Sequence, residues 1–207
     1  MTIDTKKRLV IAIDCDDVVV ESSPSIVAWY NKQYGTTLHL SDLYKHDADD
    51  LPAWGVTSRD EAINRVNEYL STDEYAQLPP TREAIDTLVW LGERHELHLV
   101  TGRADFLESA TRQWLVGHFG DLFVSLEFTN FIVPSGHEHK SRSKADVCKQ
   151  LGADILIDDH LHHAEQVAQA DVPVILFGDY PWNQADELSE KITRLANWSE
   201  VREYFER

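Results

Sequence analysis

Residues 10–17 read Val10-Ile11-Ala12-Ile13-Asp14-Cys15-Asp16-Asp17. The apolar run Leu9–Ile13 is too short for a helix, rich in β-branched residues, and stops at acids. A strand buried on both faces of a parallel sheet reads this way. Four further runs have the same form: Leu97–Val100, the less regular Leu122–Phe128, Ile155–Ile157 and Val172–Phe177. Helix-period segments lie between them. Thr81–Arg94 puts Ala84, Ile85, Leu88 and Leu91 on one face; Phe106–Phe119, Lys144–Leu151 and His160–Ala170 follow the same logic. Strands alternating with helices predict right-handed βαβ units, an α/β fold with a doubly wound parallel sheet.

One stretch breaks the alternation. From Ser22 to Leu78 only helical patterns occur: Ser25–Tyr34 with Ile26, Trp29, Tyr30 and Tyr34, and Ser58–Leu70 with Ala62, Ile63, Val66 and Leu70. Ser58 with Glu61 three residues on is a capping-box pattern. Pro24 opens the stretch and Pro79-Pro80 closes it, so a helical unit over 22–78 is expected inside a core of 1–21 and 79–207. Ser22–Pro24 and Leu78–Pro80 are its expected hinges. The tail, Asp186–Arg207, reads as one or two amphipathic helices.

Composition bounds the function. The 207 residues, 43% hydrophobic and 27% charged, suffice for a folded core. Leu9–Ile13 is far below the ~18–20 apolar residues of a membrane helix, and Lys6-Lys7-Arg8 followed by so short a run is no signal peptide. Cys15 and Cys148 make no disulfide framework. A cytoplasmic protein is expected. With 19 Lys+Arg against 36 Asp+Glu, the formal net charge of −17 excludes nucleic-acid polymers and anionic membranes as partners. A small phosphorylated substrate would need positive charge inside the site, which points to a divalent cation held by carboxylates.

The chemistry-bearing residues sit where such a site belongs. In open α/β sheets ligands bind outside the carboxyl ends of the strands. Asp14 and Asp16 follow the first run, and Asp47–Asp49 shares their spacing without a preceding strand. In Leu97-His98-Leu99-Val100-Thr101-Gly102-Arg103 the Thr101 hydroxyl and the backbone N–H groups at Gly102 can hold a phosphate oxygen. Ala153-Asp154-Ile155-Leu156-Ile157-Asp158-Asp159 ends in paired carboxylates that suit Mg²⁺, a hard cation. Lys144, at the start of the preceding helix, could neutralise a nucleophilic carboxylate and a bound phosphate, with Lys140 a competing candidate.

In this order, Asp14/Asp16, Thr101, Lys144 and Asp158/Asp159 resemble the four motifs of the haloacid dehalogenase-like superfamily of Mg²⁺-dependent phosphotransferases, across essentially the whole chain. The helical insertion is similar to that superfamily's cap domain over a Rossmann-like core. Asp17 stands where many members have Gly. The stretch Val174-Ile175-Leu176-Phe177-Gly178-Asp179-Tyr180-Pro181-Trp182-Asn183 resembles the 5'(3')-deoxyribonucleotidase branch more closely. The resemblance implies an aspartyl-phosphate on Asp14, with Asp16 as general acid and then general base. It implies Mg²⁺ held by Asp14, the backbone carbonyl of Asp16, and Asp158 and/or Asp159, and phosphoryl oxygens held by Thr101 and Lys144. Arg103 could reach the phosphate or pair with a nearby acid. A 5'-nucleotidase is the leading reading. A sugar-phosphate phosphatase or mutase, or a non-catalytic scaffold, are the alternatives.

Other residues divide between packing and function. Of the ten histidines, His137-Glu138-His139 and His160-Leu161-His162-His163 cluster without zinc-site spacing. His160 is expected at the site's rim, with His162 and His163 covering the next helix. The aromatics Trp29, Tyr30, Tyr34, Tyr44, Trp54, Tyr69 and Tyr75 would mostly form the insertion's own core, and one could stack a base. Cys15 is expected to pack.

Overall fold

The computed structural model describes residues 4–45, 49–133, 135 and 141–207. The Asp47–Asp49 pair, the His137-Glu138-His139 cluster and Lys140 therefore lie wholly or partly outside the described residues. The five expected runs form strands β1 (Val10–Ile13), β2 (Glu96–Thr101), β3 (Ser125–Phe128), β4 (Ile155–Asp158) and β5 (Val174–Phe177). A further strand, β6 (Ile192–Leu195), completes a six-stranded parallel sheet in the order β3-β2-β1-β4-β5-β6.

Between the strands run α4 (Ala84–Gly92), α5 (Glu108–Phe119), α6 (Lys144–Leu151) and α7 (Leu161–Gln169); α8 (Trp198–Glu206) closes the chain. Strand alternation sorts the core into two layers. Ile11, Ile13, Ile155, Ile157, Ile175 and Phe177 pack with α4, α5 and α8. Ala12, Leu156, Val174 and Leu176 pack with α6 and α7. Covering both faces makes these strands read as continuous apolar runs, and each fully buried aliphatic side chain contributes about 1.5–3 kcal/mol.

The tail corrects the sequence reading, because helix was expected throughout and β6 was missed. Ile192-Thr193-Arg194-Leu195 is an edge strand with only Ile192 fully buried, so it lacks the apolar run that marks the others. It aligns with β5 from Val174↔Ile192 to Phe177↔Leu195. Helix α8 is amphipathic as expected, with Asn197 capping its start by accepting from the Glu200 N–H at 3.0 Å. Helix α4 begins at Ala84 rather than Thr81. Thr81 instead donates to the Val18 carbonyl at 2.9 Å and accepts from Trp198 Nε1 at 2.9 Å. The buried face is Ala84, Thr87, Leu88 and Leu91, and Ile85 turns outward.

Between β1 and α4 lie α1 (Ser22–Tyr34), a 3₁₀ turn (Leu40–Asp42), α2 (Arg59–Leu70) and α3 (Asp73–Ala76). Ser22–Pro24 is the first turn of α1, where proline is tolerated. Ser58 caps α2 by accepting from the Glu61 N–H at 3.2 Å. Tyr30, Leu38, Leu43, Trp54, Val56 and Ala62 make a cluster of their own, and the Tyr30 hydroxyl donates to the Trp54 carbonyl at 2.8 Å. The stretch leaves and rejoins the core at one place. Val20 and Pro80 form an antiparallel bridge, and the Thr81 N–H donates to the Val19 carbonyl at 2.7 Å.

Candidate active site

Strand β1 is the switch point of the sheet. The chain proceeds from it to β2 on one side and β4 lies on the other, so a crevice opens where β1 and β4 end. Asp14 follows β1 and Asp158 ends β4. The Asp14 N–H donates to the Ile157 carbonyl at 2.9 Å, which locks the two strand ends together. Oxygen atoms of Asp14, Asp158 and Asp159 lie within 4.8 Å of one another, and all three residues are buried.

Lys144 is the first residue of α6, whose cap Ser143 accepts from the Asp146 N–H at 3.0 Å. The buried Lys144 Nζ sits 2.9 Å from Asp14 Oδ1 and 2.6 Å from Asp158 Oδ2. Burial pushes Asp14 up to about 6, opposed by Lys144 and reinforced by Asp158 and Asp16. Asp158 behaves oppositely: burial would raise it, but Lys144 and His163 hold it well below the ordinary carboxylate range. Burial and the charges of Asp14, Asp17 and Asp158 push Asp159 well above it. Three buried carboxylates with one ammonium leave excess negative charge. This oxygen-only donor set, with its atoms within 4.8 Å of one another, suits a hard divalent cation, which takes oxygen ligands.

Thr101 ends β2. The register Ile13↔Leu99 sets it level with Cys15, at the same edge of the sheet as Asp14. Its Oγ1 accepts from the Arg103 N–H at 3.2 Å, leaving the hydroxyl hydrogen free to donate. Gly102 follows with its carbonyl taken by the N–H groups of Phe131 and Ile132 at 3.0 Å. The Asp16 side chain stands outside the acidic cluster. It pairs with Arg103 at 2.8 Å, so of the two expected roles for that arginine the ion pair is the one observed.

Asp17 has φ +58°, the left-handed region that glycine enters freely and Asp tolerates. Its side chain accepts from the Ser23 N–H at 2.9 Å and from the Ser23 hydroxyl, so the first turn of α1 is fixed to the end of β1. His163 was expected to cover a helix. It instead turns inward, with Nδ1 3.6 Å from Asp158 Oδ1.

A cavity of about 490 Å³ opens beside these groups, within the usual range for small-molecule sites. Ile26, Leu43, Tyr44 and Trp54 line it from the helical stretch, and His160 and Trp182 from the core. Tyr44 is the aromatic of that stretch that stays exposed, at 39%, and its ring centre lies 4.7 Å from that of Trp182. Trp182 stacks on Tyr180 at 4.7 Å and 5°, and its Nε1 donates to Asp159 Oδ2 at 2.6 Å. The Pro-Trp-Asn turn, a marker of resemblance in the sequence, thus braces the acidic cluster.

Gly178 makes that turn possible, since at φ +79° a Cβ would fall 2.3 Å from Tyr180 Cε2. Gly178→Ala is expected to lower stability by about 1–3 kcal/mol, with Gly35→Ala, at φ +68° and nothing within 4 Å, as the milder control. Thermal melting of both variants checks this.

A parallel sheet of this order with acids at the ends of its two middle strands defines the class of haloacid dehalogenase-like hydrolases. A haloacid dehalogenase-like family protein from Streptococcus pneumoniae has the same fold, with a TM-score of 0.69 over 96% of this chain and 98% of that one at 17% identity. YfnB of Bacillus subtilis, in a form bound to magnesium, gives 0.62 over 97% and 99% at 12% identity. The chain belongs to the family described as 5' nucleotidase, deoxy (pyrimidine), cytosolic type C, whose profile matches residues 8–206. A protein of Halalkalibacterium halodurans named "Putative nucleotidase" is 25% identical over 203 residues, 98% of this chain and 94% of its own length. The chain is accordingly a phosphomonoester hydrolase acting on a small phosphorylated substrate. Among the described residues no helix is long and apolar enough to cross a membrane.

Proposed function

We propose that this protein removes the 5'-phosphate from (deoxy)nucleoside monophosphates in the cytoplasm, with Mg²⁺ as cofactor and a covalent phospho-Asp14 intermediate. The observation that carries the reading is Lys144 shared between Asp14 and Asp158 beside a base-sized aromatic cavity. An Asp14 oxygen attacks phosphorus while Asp16, entering the step with the proton it took from water in the preceding turnover, gives that proton to the departing 5'-oxygen. Water then attacks the phospho-Asp14, Asp16 takes its proton, and inorganic phosphate leaves. Lys144, the Thr101 hydroxyl and the Gly102 N–H hold phosphoryl oxygens as charge spreads over them. Asp14, Asp158 and Asp159, with the Asp16 carbonyl, would hold Mg²⁺, which shields the carboxylates from the phosphate dianion and polarises it. Residues 22–78 act as the cap, with the base lying against Tyr44 and Trp182.

The test is phosphate release across deoxyribo- and ribonucleoside 5'-monophosphates and hexose phosphates. Nucleotides are expected to give a kcat/KM at least about tenfold higher. EDTA should abolish turnover and added Mg²⁺ restore it. Preference for hexose phosphates would transfer the assignment to sugar-phosphate chemistry. Activity surviving EDTA would remove the metal from it.

A further inference from the structure

Asp16 is gripped by groups that the proposed reaction does not otherwise use. Arg103 Nε donates to Oδ2 at 2.8 Å and Nη2 to Oδ1 at 2.8 Å, a two-pronged contact that fixes the plane of the carboxylate. The Tyr75 hydroxyl donates to the same Oδ1 at 2.9 Å and is also hydrogen-bonded to Arg103 Nη2. The guanidinium is itself immobilised. It is 3% exposed, its Nη1 donates to Thr111 Oγ1 at 3.0 Å, and its central carbon lies 4.9 Å from the centre of the Tyr75 ring. Every nitrogen of the group already donates within this network, so it is engaged with Asp16 rather than poised for a phosphate.

The grip joins separate parts of the chain. Arg103 follows β2 and Thr111 lies on α5, whereas Tyr75 belongs to α3, in the helical stretch just before Leu78. An aspartate at a strand end would otherwise sample several staggered side-chain positions. A proton donor is effective only with its oxygen within hydrogen-bond reach of the leaving atom.

We propose that Arg103 and Tyr75 are positioning residues for Asp16, and that Tyr75 makes the placement of this proton-transfer group depend on how the helical stretch is seated. The inference rests on the reading of Asp16 as proton donor. Among the described residues, the Tyr75 and Arg103 side chains hydrogen-bond Asp16, Thr111 and each other, and none of Asp14, Asp158 and Asp159. They act through Asp16 alone, and their loss is felt only where a leaving group requires a proton.

The test compares two substrates by kcat/KM, which covers the steps through phosphoryl transfer and excludes the later hydrolysis of phospho-Asp14. A deoxynucleoside 5'-monophosphate expels an alkoxide that needs a proton. 2,4-Dinitrophenyl phosphate expels a stable phenolate that needs none. Tyr75→Phe is expected to lower kcat/KM for the nucleotide about tenfold and Arg103→Lys about a hundredfold, part of the 10²–10⁴ that a positioned acid supplies. On the dinitrophenyl ester each should stay within about twofold of the parent for the same reason. Tyr75→Phe keeps the ring and provides the answer even if Arg103→Lys fails to fold.

Asp16→Asn is measured alongside. If it shows the leaving-group selectivity and Tyr75→Phe does not, or if Tyr75→Phe slows both substrates equally, the positioning role is wrong while Asp16 keeps its own. If Asp16→Asn is itself unselective, the proton-donor reading falls and the inference with it.

Discussion

Asp14→Asn is expected to reduce phosphate release by at least about 10⁴-fold, in keeping with removal of a covalent nucleophile. The amide matches the carboxylate in shape but carries no charge and attacks phosphorus poorly. The fold should survive. Asn keeps an oxygen for the Cys15 N–H, which now donates to Asp14 Oδ1 at 2.8 Å. Lys144 keeps Asp158 as its counter-ion at 2.6 Å. Removing a buried carboxyl that burial has pushed up to about 6 takes away a group that is costly to ionise near neutral pH. The prediction is checked by steady-state kinetics with saturating Mg²⁺ together with a thermal melt. Turnover within tenfold of the parent, in a folded variant, would refute the nucleophile assignment.

Lys144→Met is expected to have the second-largest effect, on both activity and stability. Its ammonium is the positive charge that faces both Asp14 and Asp158 in the described structure. Without it two buried carboxylates lose their partner, a loss of about 3–5 kcal/mol by analogy with broken buried pairs. Catalysis should fall about 10²–10³-fold through the missing phosphate contact. The sign with pH follows from Asp158. Lys144 holds its folded carboxyl below the ordinary value of 3.8, so the stabilisation is present above that value and lost as pH falls through the lower, folded one. The gap between parent and variant should thus be full at neutral pH and close in strong acid. Mg²⁺ should restore part of the variant's stability near pH 7 by supplying other positive charge. Equal melting temperatures with and without Mg²⁺ would contradict that.

The sequence was most readable where burial leaves a one-dimensional trace. Strands β1, β4 and β5 are covered on both faces, so hydrophobic runs mark them and the acids stand out at their ends. Helix α6 reads correctly to the residue, because Ser143 and Gly152 bracket it with standard end chemistry. Strand β6 left no such trace, because at the edge of the sheet only Ile192 of its four residues is buried. Ile85 misled because it follows Ala84 by one residue, about 100° around the helix, and so falls off the face that Ala84, Thr87, Leu88 and Leu91 bury. In the site, each predicted motif residue lies at a strand end or a helix start, where local pattern is informative. Tyr75 meets Asp16 across 59 residues, and Trp182 meets Asp159 across 23. Such partners are set by the three-dimensional path of the chain. Nothing in the local pattern distinguishes Tyr75 from the aromatics that only fill the helical stretch. The one available signal was the Pro-Trp-Asn turn, which pointed to ancestry and turned out to touch the acidic cluster.

The bridge between Val20 and Pro80 has a consequence for how this protein could diversify or be engineered. Entry and exit of the 57-residue stretch run side by side through a single narrow neck, so the sheet meets the same pair of backbone ends whatever lies beyond them. A grafted unit of different length or shape must reproduce that pairing, together with the tie of its first turn to Asp17 that Ser23 makes here. Under the cap role proposed for residues 22–78, exchange of that stretch at this neck is expected to change substrate preference, provided the incoming piece brings an equivalent of Tyr75, which holds Asp16.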